Sequence, residues 1–293
     1  GDRWYILSNK NAKNFQLLET PEHQTDESFW RVVVPHNESA LLTDMTVFEN
    51  FVILEETSKA LDHLRVLDRR SSASYYIDCE EPVYVTYVAE NREYDTNTLR
   101  YTFESPKTPE IVYDYDLSAR TRELKKQRPI PGDFDSADYV TERLWVPTRD
   151  GVRIPVSILY RKGLAKNNVN PTLIHGYGSY GISSKAYFRS NVFSLVDRGF
   201  IFALAHVRGG SEMGRTWYEQ GRLLNKKNSF TDFIEVTRHL IVNGYTSPEY
   251  LYARGGSAGG LLVGAVANIS PELYNGIIAE VPFFDVVTTM LDE

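Results

Sequence analysis

Two rhythms of apolar and polar residues divide the chain. Up to about residue 128, apolar positions alternate with polar ones over short runs, as in Leu99, Tyr101 and Phe103 or Tyr113, Tyr115 and Leu117. That period of two belongs to strands with one buried face. Three segments share one plan: "RWYILSNKNAKNFQLLET" from Arg3, "NFVILEETSKALDHLRVLDRR" from Asn50 and "RYTFESPKTPEIVYDYDL" from Arg100. Each reads as a strand, a polar turn carrying a lysine, and a second strand. The turn lysines, Lys10, Lys59 and Lys107, lie 49 and 48 residues apart. A period near fifty with several strands per unit predicts β-propeller blades, each burying its faces against its neighbours. Three units are fewer than the about four to eight blades that surround a propeller axis. The expectation is therefore that residues 1–128 are a propeller segment, about the last three blades, with others upstream.

From residue 129 the rhythm changes. "RPIPGDFDSADY" is a connector rich in Pro, Gly and Asp. Asp150-Gly151, between two strand-like runs, is a hairpin signal. Strands then alternate with helices. "PTLIHGYG" and "FIFALAHV" read as strands, the second so continuously apolar that both faces should be covered. "KAYFRSNVFSLVDRG" predicts a helix stopped at Gly199. "NSFTDFIEVTRHLIVNG" predicts another, capped by Asn228 or Ser229 and stopped at Gly244. "YLYARGG" and "GIIAEVPF" add two strands. Alternation of this kind predicts a mostly parallel sheet with helices on both faces. The fold expected for residues 129–293 is the N-terminal part of an α/β-hydrolase catalytic domain, truncated before its last strands.

Composition narrows the function. The net charge of −7 argues against nucleic acid as a partner, which calls for basic surface, and against a polybasic membrane patch. One cysteine, Cys79, excludes an internal disulfide and a cysteine-based zinc cage, and fits a reducing, cytoplasmic setting. No apolar run is long enough to span a bilayer. The start, "GDRWYILSNK", shows neither a signal-peptide pattern nor an initiator Met and reads as internal to a longer chain.

The chemistry concentrates at Gly255-Gly256-Ser257-Ala258-Gly259. An apolar strand enters this G-x-S-x-G and a helix-like run leaves it, which is the setting of a nucleophile elbow. A tight turn lifts the Ser257 hydroxyl above the sheet, and the following helix points its positive end at the reacting oxygen. The Ala258 backbone N–H is the first candidate donor to a developing oxyanion. "LIHGYGSYG", residues 173–181, follows an earlier strand and offers the Tyr177 hydroxyl as a second. A nucleophilic serine needs a proton acceptor, and all six histidines, at 23, 36, 63, 175, 206 and 239, precede Ser257. In α/β-hydrolases the histidine follows the serine. His175 is expected to shape the oxyanion loop, His206 to be packed or hydrogen-bonded, and His239 to lie on a helix surface. The triad Asp and His are then expected beyond Glu293. No histidine spacing suits a metal, and no cofactor motif occurs.

Four motifs, "HGYGSYG", "HVRGGSEMG", "GGSAGGLLVGAVAN" and "VPFFDVVTTMLDE", occur in order and resemble the prolyl oligopeptidase family of serine peptidases, most of all its oligopeptidase B branch. The resemblance implies a seven-bladed propeller capping an α/β-hydrolase domain. It implies cleavage of short peptides, after Arg or Lys in that branch, with no metal or cofactor. It also implies Ser257 as nucleophile, with Tyr177 and the Ala258 N–H as oxyanion donors. A second acidic pair, which some members carry after the oxyanion loop, would fall at Lys185 and Tyr187. Neither is acidic, so a dibasic preference is not expected. The residues also admit a prolyl- or acylaminoacyl-type peptidase or esterase, and a non-catalytic propeller–hydrolase binding protein.

Overall fold

The computed structural model describes residues 2–291. Gly1, Asp292 and Glu293 lie outside them. Residues up to Gln127 form three antiparallel meanders. The first holds β1 (Arg3–Ser8), β2 (Gln16–Pro21) and β3 (Arg31–Val34). The second holds β4 (Leu41–Val47), β5 (Phe51–Ser58), β6 (Leu61–Asp68) and β7 (Ser74–Tyr76). The third holds β8 (Val85–Val88), β9 (Thr98–Glu104), β10 (Ile111–Asp116) and β11 (Thr121–Gln127). Lys10 lies in the β1–β2 connection, Lys59 between β5 and β6, and Lys107 between β9 and β10, so the fifty-residue period marks an equivalent hairpin in successive sheets.

The sheets stack as propeller blades. On β5, Val52 and Leu54 join Leu17, Val34 and Leu42 in the core shared with the first sheet. Phe51 and Ile53, on the other face, join Leu99, Tyr101 and Phe103 of the third. A strand sandwiched between two neighbouring sheets needs both faces apolar, which is why "FVIL" runs unbroken where the outer strands alternate.

The second half is one six-stranded sheet. Its strands are β12 (Tyr139–Pro147), β13 (Arg153–Arg161), β14 (Thr172–Gly176), β15 (Ile201–Ala205), β16 (Leu251–Gly256) and β17 (Gly276–Glu280), in the order β12-β13-β15-β14-β16-β17. β12, β13 and β15 pair antiparallel; β15, β14, β16 and β17 pair parallel. The Asp150-Gly151 turn joins β12 to β13, with Gly151 at φ 81°. The helices are α1 (Ser190–Val196), α2 (Arg215–Glu219), α3 (Lys227–Val242), α4 (Ala258–Ile269) and α5 (Val286–Leu291). The connection from β14 to β15 runs one way across the sheet, and those from β15 to β16 and from β16 to β17 run the other. With crossovers of one hand, α1 must then pack on one face and α3 with α4 on the other. The core divides accordingly: Val192, Phe193 and Val196 lie with Leu173 and Phe202, while Phe233, Leu240, Leu262 and Val263 lie with Ile174 and Ala253.

Two helix boundaries depart from the sequence reading. The helix expected over 185–199 is confined to Ser190–Val196. Residues before it turn toward the propeller: Lys185 pairs with Asp62, and the Phe188 N–H donates to the Glu104 carboxylate at 2.9 Å. A backbone donor committed to another domain is lost to a helical turn. The second departure is α3, which begins at Lys227, so neither Asn228 nor Ser229 caps it. The Ser229 side chain is buried and donates to the Arg208 carbonyl instead, at 2.6 Å.

The halves meet through specific polar contacts. The β5–β6 hairpin tip, with Lys59 at φ 53° and Ala60 at φ 57°, donates the Ala60 N–H to the Glu212 carbonyl at 2.8 Å. The Ala60 carbonyl accepts from Arg143 at 3.0 Å. Lys13 pairs with Glu219 at 2.9 Å, and the Asn14 amide oxygen accepts the Arg215 N–H at 2.7 Å.

Candidate active site

Adjacent parallel strands whose connections leave on opposite faces open a crevice at their carboxyl ends. Here those strands are β14 and β16. Tyr177 follows the first and Ser257 the second.

Ser257 joins β16 to α4 at φ 54°, ψ −117°, a region that costs a non-glycine residue about 1–3 kcal/mol. Its surroundings enforce the bend. The Ser257 N–H donates to the Glu280 carbonyl of β17 at 2.9 Å, and its own carbonyl accepts from Gly260 at 2.9 Å and Phe283 at 3.1 Å. A Cβ at Gly255 would lie 2.0 Å from the Gly259 carbonyl oxygen, so no side chain fits inside the elbow. The side chain of Ser257 is exposed and makes no capping bond to its own helix. Ala258 is the first residue of α4, where a backbone N–H has no intrahelical acceptor. This donor therefore remains free at the positive end of the helix.

Tyr177 stands against that helix end. A Cβ at Gly259 would sit 2.7 Å from the Gly176 carbonyl oxygen and 3.4 Å from both the Tyr177 Cα and its ring. The half-buried Tyr177 phenol has its pKa raised by burial, so its hydroxyl stays protonated and available as a donor. The structure thus brings together Ser257, Tyr177 and the Ala258 N–H at the ends of two neighbouring strands.

The histidines are elsewhere. His175 sits within β14, with burial first, then Arg189 and Arg254, pushing its pKa down to about 4; its Nδ1 is buried without a partner. His206 is buried, and its Nε2 lies 2.7 Å from Ser157 Oγ, as a packed, hydrogen-bonded residue should. His239, expected on the helix surface, is half-buried, and burial lowers its pKa. The ring of His63 meets the Tyr84 hydroxyl at 3.1 Å in the propeller. No hydrogen bond among the described residues joins Ser257 Oγ to an imidazole, and no group of three or more His, Cys, Asp and Glu is placed to hold a metal. No helix among them is long and apolar enough to cross a membrane.

Sequence reasoning missed the residues that support this crevice. Arg208 is buried, chelates Asp232 through contacts at 2.5 and 2.9 Å, and reaches Asp150 at 2.6 Å. It thereby locks the loop after β15 to α3 and to the β12–β13 turn. Lys226, one residue before α3, donates to the Gly178 carbonyl behind Tyr177 at 2.5 Å. Arg208 lies within "HVRGG", where adjoining glycines hint at tight packing; nothing local marks Lys226, since lysine is seldom buried.

Propeller blades joined to an α/β sheet with a serine elbow at its switch point define a propeller-capped α/β-hydrolase. Residues 1–128 match the family model described as "Prolyl oligopeptidase, N-terminal beta-propeller domain", and residues 186–293 match "Prolyl oligopeptidase family". The chain belongs to the prolyl oligopeptidase family. It is 44% identical to dipeptidyl aminopeptidase BI of Pseudoxanthomonas mexicana, over 100% of this chain and 40% of that protein. It is 41% identical to Protease 2 of Moraxella lacunata, over 99% of this chain and 42% of the relative. Among solved structures, oligopeptidase B from Leishmania major superposes with TM-score 0.91 at 36% identity, covering 99% of this chain and 42% of that one. Oligopeptidase B from Trypanosoma brucei with covalently bound antipain, in a closed form, gives 0.90 at 38% identity with the same coverage. The chain therefore spans about two fifths of the length of these relatives.

Proposed function

We propose that this chain carries the nucleophile and oxyanion donors of a serine oligopeptidase that hydrolyses short peptides, after Arg or Lys. The observation that carries the reading is the exposed Ser257 hydroxyl on a backbone bent to φ 54° at the start of α4. Ser257 Oγ attacks the scissile carbonyl carbon and gives up its proton. The carbonyl oxygen takes the negative charge and is met by the Tyr177 hydroxyl and the Ala258 N–H, donors that strengthen as charge develops. Collapse of the tetrahedral intermediate expels the amine and leaves an acyl-serine, which water then releases. The proton acceptor is a His–Asp pair outside residues 1–293: no hydrogen bond among the described residues joins Ser257 Oγ to an imidazole, and His206 Nε2 is taken by Ser157 Oγ. Support for a basic residue before the cut comes from the likeness to the two oligopeptidase B structures. With Lys185 engaged by Asp62, a second basic side chain finds no acidic partner at that position.

The full-length protein tests this directly. A fluorophosphonate should label Ser257 and lose its target in Ser257→Ala, and reporters with Arg or Lys before the scissile bond should be cleaved well ahead of Pro reporters. An unlabelled Ser257 overturns the nucleophile; preference for Pro overturns the specificity. The dipeptidyl aminopeptidase relative favours a second reading, release of dipeptides from a free amino terminus. Reporters with blocked and free amino termini separate the two.

A further inference from the structure

We propose that Lys226 is a positioning residue of the oxyanion site, its ammonium holding the loop that aims Tyr177; the proposal rests on the role given above to Tyr177. Tyr177 lies between two backbone anchors. On one side Gly176 is in register with Ala205 in the sheet. On the other, the Gly178 carbonyl accepts from Lys226 Nζ at 2.5 Å, and the same ammonium reaches Ser179 Oγ at 2.8 Å and Ser229 Oγ at 3.2 Å. An ammonium has three donors, and these three oxygens fill them. With the chain held before and after it, Tyr177 keeps only its side-chain torsions, which the first turn of α4 restricts further.

The layer beneath is equally close. A Cβ at Gly209 would fall 1.9 Å from the Gly178 carbonyl oxygen. The Gly181 N–H donates to the Gly209 carbonyl at 2.9 Å, and Ser229 Oγ passes its own proton to the Arg208 carbonyl at 2.6 Å. Lys226 closes this stack from the N-terminus of α3. Its environment is costly for a cation: burial alone lowers its pKa to about 8, and its close neighbours are neutral oxygens and the Phe230 ring, whose centroid is 5.9 Å away. A desolvated charge without a carboxylate is poor at adding stability. It is well suited to fixing a peptide group whose position matters to within a fraction of an ångström.

The test uses the full-length enzyme, with active sites counted by fluorophosphonate so that unfolded protein drops out. Lys226→Met keeps the aliphatic stem and removes the donors. We expect kcat to fall at least tenfold while KM changes less than twofold, because the oxyanion exists only after attack. In a Tyr177→Phe background, which is itself impaired, the same substitution should cost less than twofold, and Lys226→Arg should recover part of the loss. An unchanged kcat in Lys226→Met, or a full tenfold loss repeated in the Tyr177→Phe background, overturns the positioning role while leaving Tyr177 in place. A Tyr177→Phe enzyme with normal kcat overturns the oxyanion reading and the proposal with it.

Discussion

Two serines of the hydrolase half invite opposite conclusions. Ser157, in the middle of β13, has its Oγ 2.7 Å from His206 Nε2, and His206 Nδ1 lies 3.9 Å from a Glu212 carboxylate oxygen. By side-chain identity and distance this resembles a charge-relay triad. Ser257 Oγ makes no hydrogen bond to an imidazole among the described residues. Yet the exposures of Ser157, His206 and Glu212 are 2%, 1% and 2%, and β13 is flanked on both sides by paired strands, so no substrate carbonyl reaches Ser157. Ser257 is exposed on the bend between β16 and α4, with its side chain uncommitted to the helix. Buried polar groups find partners because leaving them unpaired is expensive, so a serine–histidine contact in a core reports satisfaction, not reactivity. What marks a nucleophile is backbone direction, access and free donors nearby. The buried group does other work: the Glu212 carboxylate accepts the Ser184 N–H at 2.7 Å, and the Glu212 carbonyl takes the Ala60 N–H of the propeller hairpin.

The sharpest way to break this comparison is to delete each hydroxyl in the full-length enzyme. Ser257→Ala should lower kcat by about 10⁴-fold or more and leave the melting temperature nearly unchanged, because the Ser257 side chain holds nothing in place. Retention of a tenth of the activity would mean that the attack comes from elsewhere. His206→Ala should do the reverse. It strands Ser157 and opens a cavity beside the domain contact, so stability should fall by about 2–3 kcal/mol, read from denaturant midpoints, with kcat per folded molecule within about threefold of the parent. Ser157→Ala, which removes a smaller group, should cost about 1 kcal/mol. A His206→Ala enzyme that is fully stable but inactive would reverse the assignment of the two serines.

Much of this contrast was legible in the chain. The elbow at Ser257 declares itself locally: glycines, a strand before and a helix after are all within a dozen residues. The hairpins at Lys10, Lys59 and Lys107 were legible because a repeated unit repeats its turn chemistry. Both departures in helix boundary come from long-range demand. Residues 185–189 carry a helical pattern, but Lys185 and Phe188 answer to Asp62 and Glu104 in another domain. Ser229 has the chemistry of a cap, but the carbonyl of Arg208 claims it. Lys226 was invisible because its role depends on where β14, β15 and α3 place three unrelated segments, and no spacing rule encodes that.

The last effect expected concerns protonation beneath the site and shows only as a difference between two pH profiles. His175 is held neutral, its pKa pushed down to about 4 by burial, against about 6.5 in an unfolded chain. Between those values the unfolded state binds more protons, so stability rises with pH there. The neutral ring's contribution is complete above about pH 6.5, is lost progressively as pH falls toward 4, and amounts to about 3 kcal/mol at most. Glu55 works against it. Burial raises its pKa to about 7, so its contribution is present at low pH and is lost as pH rises from about 4.5 toward 7. The raw stability curve therefore mixes both slopes. The difference between the parent and His175→Gln isolates the first, since glutamine keeps a polar side chain at the site and removes the titration. Denaturant midpoints at intervals from pH 4 to 8 should converge for the two proteins at low pH and diverge above about 6.5 in favour of the parent. If the curves stay parallel, His175 is solvated and titrates as it does in the unfolded chain, and burial is not what governs its ring.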